Sequence, residues 1–232
     1  MYDIIFISYQ EPTADKNFEA LSKRFPRAQR VHGIKGIHQA HIVAAKNSFT
    51  KMFWVVDADA EILDSFNFDH VVPKEDLECV HVWRSKNLIN GLEYGYGGVK
   101  LLPKALTQNM DVSKPDMTTS ISSLFKAMPE VSNITAFNTD PFNTWKSAFR
   151  ECCKLASRTI DRQDDTETQQ RLDAWCKLND NVPFGFYSYL GAEGGKSFGE
   201  HNKNDPRTLK LINDFDWLQI QFDAAKERIS GR

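Results

Sequence analysis

The stretch KMFWVVDADAEIL, residues 51–63, is an apolar run that stops at two aspartates one residue apart, Asp57 and Asp59, with Glu61 two further on. Carboxylates grouped in this way are hard oxygen donors, suited to a divalent ion such as Mg²⁺ or Mn²⁺ or to the hydroxyls of a ribose. One is expected to hold the ion directly while the other reaches a ribose hydroxyl or a metal-bound water. The arrangement would suit a nucleoside diphosphate bridged by Mg²⁺ or Mn²⁺. The alternative is a strand that ends in solvent with acids as loop decoration, because D-x-D is a short motif. In the first reading, removing either charge costs metal binding while leaving the fold's stability nearly unchanged.

Such acids need elements to carry them. DIIFISY reads as a strand closed by the turn-forming QEPTAD. A helix is expected over about residues 17–25 and a second over GIHQAHIVAAKNS, where Ile37, His41, Ala44 and Ala45 recur at helical spacing. MFWVVDAD is the next strand, and its unbroken apolar run suits a sheet covered on both faces. This alternation predicts an open α/β sheet, in which ligands gather beyond the carboxyl ends of the strands. Asp57 and Asp59 fall at that edge. Further on come ECVHVWR, the Gly-rich NGLEYGYGGVKLL and the polar DVSKPDMTTS. TDPFNTWKSAFRECCKLASRTID predicts a helix with Asp140 as N-cap, Pro141 at its first position and one stripe of Phe142, Trp145, Phe149, Cys152, Ala156 and Ile160. A helix over about 167–178, a loop NDNVPFG and a C-terminal helix over about 206–226 complete the reading. No repeat or linker marks a boundary, so one domain is expected.

Composition bounds the function. The 232 residues are 41% hydrophobic and 26% charged, an ordinary globular balance. A formal charge of −2 gives no global attraction to nucleic acid, so a polyanion would have to meet a local patch. The opening MYDIIF lacks a basic leader region and no apolar run reaches about 18 residues, which predicts a cytoplasmic chain with no membrane span. Cys79, Cys152, Cys153 and Cys176 lack the paired spacing of a zinc site and are expected to be buried thiols.

DIIFISYQEP, GIKGIHQAHIVAAKNS and FWVVDADAEI, in this order and spacing, resemble the nucleotide-binding half of GT-A glycosyltransferases. EYGYGGVKLLPK and NTDPFNTWKSAF resemble the acceptor-side portion of a compact phage-type family of these enzymes. The resemblance implies a GT-A, Rossmann-like open mixed sheet flanked by helices. It also implies a single domain, with residues 1–65 as the nucleotide-binding half and 66–232 as the acceptor-side half with C-terminal helices. The donor would be a nucleoside-diphosphate sugar, UDP being the first expectation, with Mn²⁺ or Mg²⁺ as cofactor.

By the same resemblance Ser8, Tyr9 and Glu11 would contact base and ribose, Tyr9 by stacking and Glu11 as acceptor. Lys35, Gly36, His38 and His41 match the segment that approaches the ribose or diphosphate; the two histidines are either a ligand pair or structural. Asp57 and Asp59 would hold the metal, with Glu61 an alternative ligand because the motif is the doubled DADAE. His201, in SFGEHNKNDP read as a polar loop, would complete the metal site. Asp140 would be the catalytic base and Asp116 the reserve, although Asp140 reads equally well as a helix cap. Gly97 and Gly98 would let the backbone pass close under the sugar, with Lys100 and Lys104 facing acceptor or phosphates; a tight turn is the alternative.

Three classes remain open on the sequence: glycosyltransferase, nucleotidyltransferase and a non-enzymatic nucleotide-binding protein. The Gly-rich signature that normally opens a nucleotidyltransferase is missing from SYQEPTADKN. For the acceptor, phage-type chains suggest hydroxymethylated pyrimidines in DNA, such as hydroxymethylcytosine. Lys146, Arg150, Lys154 and Arg158 would track phosphates, and Tyr94, Tyr96 or Trp145 would stack a flipped base. A glycan or small molecule is the alternative acceptor.

Overall fold

The computed structural model describes residues 1–159 and 164–230. Along the chain come β1 (Asp3–Ser8), α1 (Ala14–Arg24), β2 (Gln29–His32), α2 (Ile37–Asn47), β3 (Met52–Asp57), β4 (Ala60–Ile62), β5 (Val80–Asn87), β6 (Glu93–Tyr94), β7 (Val99–Pro103), α3 (Lys104–Gln108), α4 (Met117–Ile121) and β8 (Phe125–Thr135). The helices α5 (Pro141–Ser157), α6 (Asp165–Trp175), α7 (Gly185–Asn202), α8 (Pro206–Leu209) and α9 (Phe215–Ser230) follow. Contacts gather these elements into two compact units. The first comprises Met1–Asn87, Glu93–Val112 and Ser120–Ala136; the second comprises Leu88–Leu92, Ser113–Thr119 and the described residues from Phe137 onward.

The first unit is an open mixed sheet in the order β2-β1-β3-β7-β5-β8-β4, with β6 beside β5 and helices flanking it, the architecture expected. Strands β2, β1 and β3 run parallel. β7 reverses against β3, and β5 against β7. β8 runs parallel to β5 and pairs antiparallel with β4. The apolar run of β3 is buried from Met52 to Val56, as a strand covered on both faces must be. Met52, Trp54 and Val56 share a core with Phe66, Phe68 and Trp83, the rings of Trp54 and Trp83 lying 4.5 Å apart.

The second unit is helical. Asp140 caps α5, its Oδ1 accepting from the Asn143 amide at 2.8 Å, and Pro141 opens the helix. Phe142, Trp145 and Phe149 face Leu209, Ile212, Leu218 and Phe222. Ile160, the last member of the stripe read from the sequence, lies outside the described residues. The C-terminal segment is broken where one helix was expected. Asp214 leaves helical geometry with a φ of −95° and a ψ of 106°, and its Oδ1 accepts from the amides of Asp216 and Trp217, which starts α9 afresh.

The largest departure from the sequence reading is α7, which was not anticipated. Five of its eighteen residues are glycine, and each costs about 1 kcal/mol of helix propensity relative to alanine. Four of them have no room for a Cβ, Gly185 because it would stand 1.8 Å from the Asn179 carbonyl oxygen and three because of α5. A Cβ on Gly191 would stand 2.2 Å from the Trp145 carbonyl oxygen, on Gly195 2.1 Å from that of Phe149, and on Gly199 2.5 Å from that of Cys153. With a repeat of four, this glycine row lets the backbones of α5 and α7 meet. Gly194 is different, since a Cβ there would meet only the Phe149 ring at 3.4 Å. Gly195→Ala should therefore destabilise the chain by about 2–3 kcal/mol, the cost of forced overpacking. Gly194→Ala should be neutral or gain up to about 1 kcal/mol. Thermal melting of the two variants checks this; equal shifts would mean that α7 does not lie on the α5 backbone.

Candidate functional site

The carboxyl ends of β1 and β3 lie side by side, Ile7 opposite Asp57 and, on the other flank, Ser8 opposite His32. Asp57 is the last residue of β3, but Asp59 is not in extended chain: it lies in the turn between β3 and β4. An unbroken strand would put residues 57 and 59 on one face, and the turn removes that constraint. Three backbone links hold the motif instead. The Asp57 amide donates to Gly98 O at 2.9 Å, the Asn17 side chain on α1 donates to Ala58 O at 2.8 Å, and the Ala136 amide donates to Asp59 O at 2.9 Å.

The two carboxylates have different surroundings. Lys100, buried on β7, donates to Asp57 Oδ1 at 2.7 Å, to Asp57 Oδ2 at 2.9 Å and to the Gly97 carbonyl. All three ammonium protons have acceptors. Asp59 receives no hydrogen bond from any side chain among the described residues. Burial, then the nearby charges of Asp57 and Glu11, push its carboxyl up to about 7, with Lys100 opposing them. His41 is fully buried, its Nδ1 donating to the Ile37 carbonyl at 2.8 Å and its Nε2 without a partner among the described residues. Burial and then Lys100 hold His41 well below the usual histidine range, hence neutral. His38 is hydrogen-bonded to Ser120 Oγ at 3.1 Å. Each histidine thus has a bond partner of its own.

The turn after β1 is equally specific. Glu11 Oε2 accepts from the Tyr9 amide at 2.7 Å, which folds the acid back over its own turn. Ser8 Oγ is bonded to His32 Nδ1 at 2.9 Å and accepts from Arg30 Nε at 2.9 Å, while Arg30 also reaches Asp15 at 2.6 Å. Arg30 and His32 were missed, because only the parallel register of β1 and β2 brings QRVH beside Ser8. Lys35 is exposed, and Gly36, with a φ of 96°, has the left-handed geometry that favours glycine at the start of α2. Gly97 has a φ of 93° and supplies the carbonyl for Lys100. At Gly98 the close neighbour is the Asn133 side chain, 2.6 Å from where a Cβ would stand.

Several expected roles change with the geometry. Lys100 and Lys104 do not face outward: the first holds Asp57, and the second donates to the Ser48 carbonyl. Glu61 pairs with Lys16 at 3.3 Å. His201 is on the helix α7, not in a loop, with Nδ1 donating to the Ser197 carbonyl at 2.7 Å. Asp140 spends one oxygen on its cap and the other on the Asn143 side chain. Asp116 is buried, and its Oδ2 accepts from the Thr119 amide at 3.0 Å. Tyr94 and Trp145 are core residues that cannot stack on a base as they stand. The basic row of α5 is engaged within its unit: Lys146 with Asn143 at 2.7 Å, Arg150 with Asn213 at 3.0 Å, Lys154 with Glu151 at 3.4 Å and Arg158 with Asp165 at 2.9 Å.

For a divalent ion, Asp59 fits and Asp57 does not as it stands. Asp59 is a half-buried carboxyl near two other acids, which favours any positive charge that enters, whereas both oxygens of Asp57 are taken. Among the described residues no three histidine, cysteine, aspartate or glutamate side chains form a ready-made metal set. No helix among them is long and apolar enough to cross a membrane.

No family model matches the chain, and no curated protein sequence does. Solved structures similar to it include HddC from Yersinia pseudotuberculosis, 13% identical with a TM-score of 0.36 over 57% of this chain and 92% of that one. They also include the mannosyltransferase PcManGT from Pyrobaculum calidifontis in complex with GDP-Man and Mn²⁺, 10% identical with a TM-score of 0.38 over 98% of this chain and 86% of that one. At these values the likenesses carry no functional argument.

The different surroundings of the two aspartates predict opposite effects on stability. A carboxyl with a raised pKa favours the fold fully below its unfolded value of 3.8, and this contribution is lost as pH rises through about 7. Asp59→Asn should thus raise the melting temperature, by a margin that grows between pH 5 and 7 and then levels off. Asp57→Asn should lower it, through a loss of roughly 2–3 kcal/mol of folding stability, because it strands the Lys100 ammonium while Asp57 itself is partly exposed. Melting curves across that pH range in chelator-containing buffer decide the matter. A pH-independent gain for Asp59→Asn would contradict the raised pKa.

Proposed function

We propose that the chain is a glycosyltransferase that moves a sugar from a nucleoside-diphosphate donor to an acceptor hydroxyl. The observation that carries the reading is the acid pair Asp57 and Asp59 at the carboxyl end of β3, beside the end of β1 in an open α/β sheet, where such sheets bind ligands. In this proposal Ser8, Tyr9 and Glu11 receive the base and ribose, and Lys35 and Gly36 at the start of α2 approach the diphosphate. Asp59 would hold Mn²⁺ or Mg²⁺, which when bound supplies neutralisation of the charge that develops on the departing diphosphate. Asp57 and Lys100 keep the strand end in place around it.

A carboxylate is needed to take the acceptor proton if the reaction inverts the anomeric centre. Of the two acids proposed for it, Asp140 is partly exposed and Asp116 is buried, so Asp140 is retained. His201 is kept as a proposed metal ligand only in the sense that its Nε2 is available on an exposed helix face. For the acceptor, hydroxymethylated pyrimidine in phage DNA is the first to test, with glycans and small molecules next. The engaged cations of α5 and the buried Trp145 give no support to a DNA-tracking helix.

The test is incubation with a panel of UDP- and GDP-sugars and Mn²⁺, following slow hydrolysis of the donor. Turnover of one donor is expected, reduced by roughly 10²-fold in Asp59→Asn, the size typical for removing one group that stabilises developing charge. Parallel digestion of hydroxymethylcytosine-containing DNA, with nucleosides weighed by mass spectrometry, reads the acceptor. Absence of hydrolysis with every donor would overturn the proposal.

A further inference from the structure

Lys100 is the residue whose position least resembles a substrate-facing cation. It projects from β7, opposite Val55 of β3, and is buried to 2% exposure. A lysine is almost never buried so deeply unless its charge is paired. Here its ammonium has three acceptors in fixed positions, the two oxygens of Asp57 and the carbonyl of Gly97. Gly97 can supply that carbonyl because it adopts a φ of 93°, so the loop before β7 is shaped around the ammonium. A divalent ion ligated by Asp57 would either stand against this ammonium or force it out of its acceptors into the apolar interior. Asp59 carries neither obstacle.

We propose that Lys100 is a built-in cation that reserves Asp57 as a positioning residue, so that a divalent ion entering the site is taken by Asp59 and not by Asp57. The two acids of the motif thereby divide their work. Asp57 and Lys100 form a neutral pair that fixes the strand end, and Asp59 is the ligand. This deepens the reading above, resting on the site's taking a divalent ion, but does not require that a sugar be transferred.

The test is Mn²⁺ affinity of the full chain, read from the electron paramagnetic resonance signal of free Mn²⁺ in wild type and three variants. Asp59→Asn should weaken binding at least tenfold. The double variant Asp57→Asn with Lys100→Met removes one negative and one positive charge together, so it leaves the net charge of the site unchanged. Its affinity should stay within about threefold of wild type. Lys100→Met alone frees Asp57 and should tighten binding at least tenfold; it also serves as the test if the double variant does not fold. Loss of binding in the double variant as large as in Asp59→Asn would overturn the proposal. So would unchanged or weaker binding in Lys100→Met, or no binding by the wild-type chain. If the variant pattern holds while no nucleotide sugar is hydrolysed, the assignment of Lys100 stands and the glycosyltransferase reading falls.

Discussion

A strand covered on both faces can present ionisable side chains only where it ends. β3 is buried from Met52 to Val56, between β1 on one side and β7 on the other, so its first chance to carry a charge is Asp57. That charge is still too deep to be left alone. Lys100 meets it from the neighbouring strand, and the ammonium in turn requires the Gly97 carbonyl. The turn that holds Asp59, the loop before β7 and the end of β8 are then tied to one another through backbone hydrogen bonds at Asp57 and Asp59.

The same requirement explains why the acids are not equivalent. Neutralising Asp57 internally leaves the half-buried Asp59 near the negative charges of Asp57 and Glu11, with Lys100 opposing them. In this setting a carboxyl tends either to keep its proton or to acquire a cation. The motif therefore stores an electrostatic imbalance at one residue, held in place by the balanced pair next to it.

In the helical unit, the governing constraint is distance between backbones. α5 presents large apolar side chains to α8 and α9 and its own main chain to α7, where glycines leave room for it. Poor intrinsic helix formers are thus retained in a long helix because any Cβ would collide. The cations on the outer parts of α5 pair with acids, amides and rings of the same unit, which leaves the helix a packing element in this arrangement.

Period and punctuation were enough for much of this fold. The unbroken apolar run of β3, the alternation of strands with helices and the Asp-Pro start of α5 are local patterns, and each produced the element read from it. The position of Asp57 at a strand end was legible for the same reason. What the sequence alone could not determine was pairing across long separations. Nothing local says that Lys100 lies opposite Val55 and reaches Asp57, that Arg30 and His32 flank Ser8, or that Asp59 turns out of the strand. Nor could glycine-rich residues 185–202 be recognised as a helix, because their low propensity is outweighed only by contact with a helix some forty residues earlier. Side-chain type and spacing determined which chemistry was present; tertiary structure decided which charges were already spent on one another.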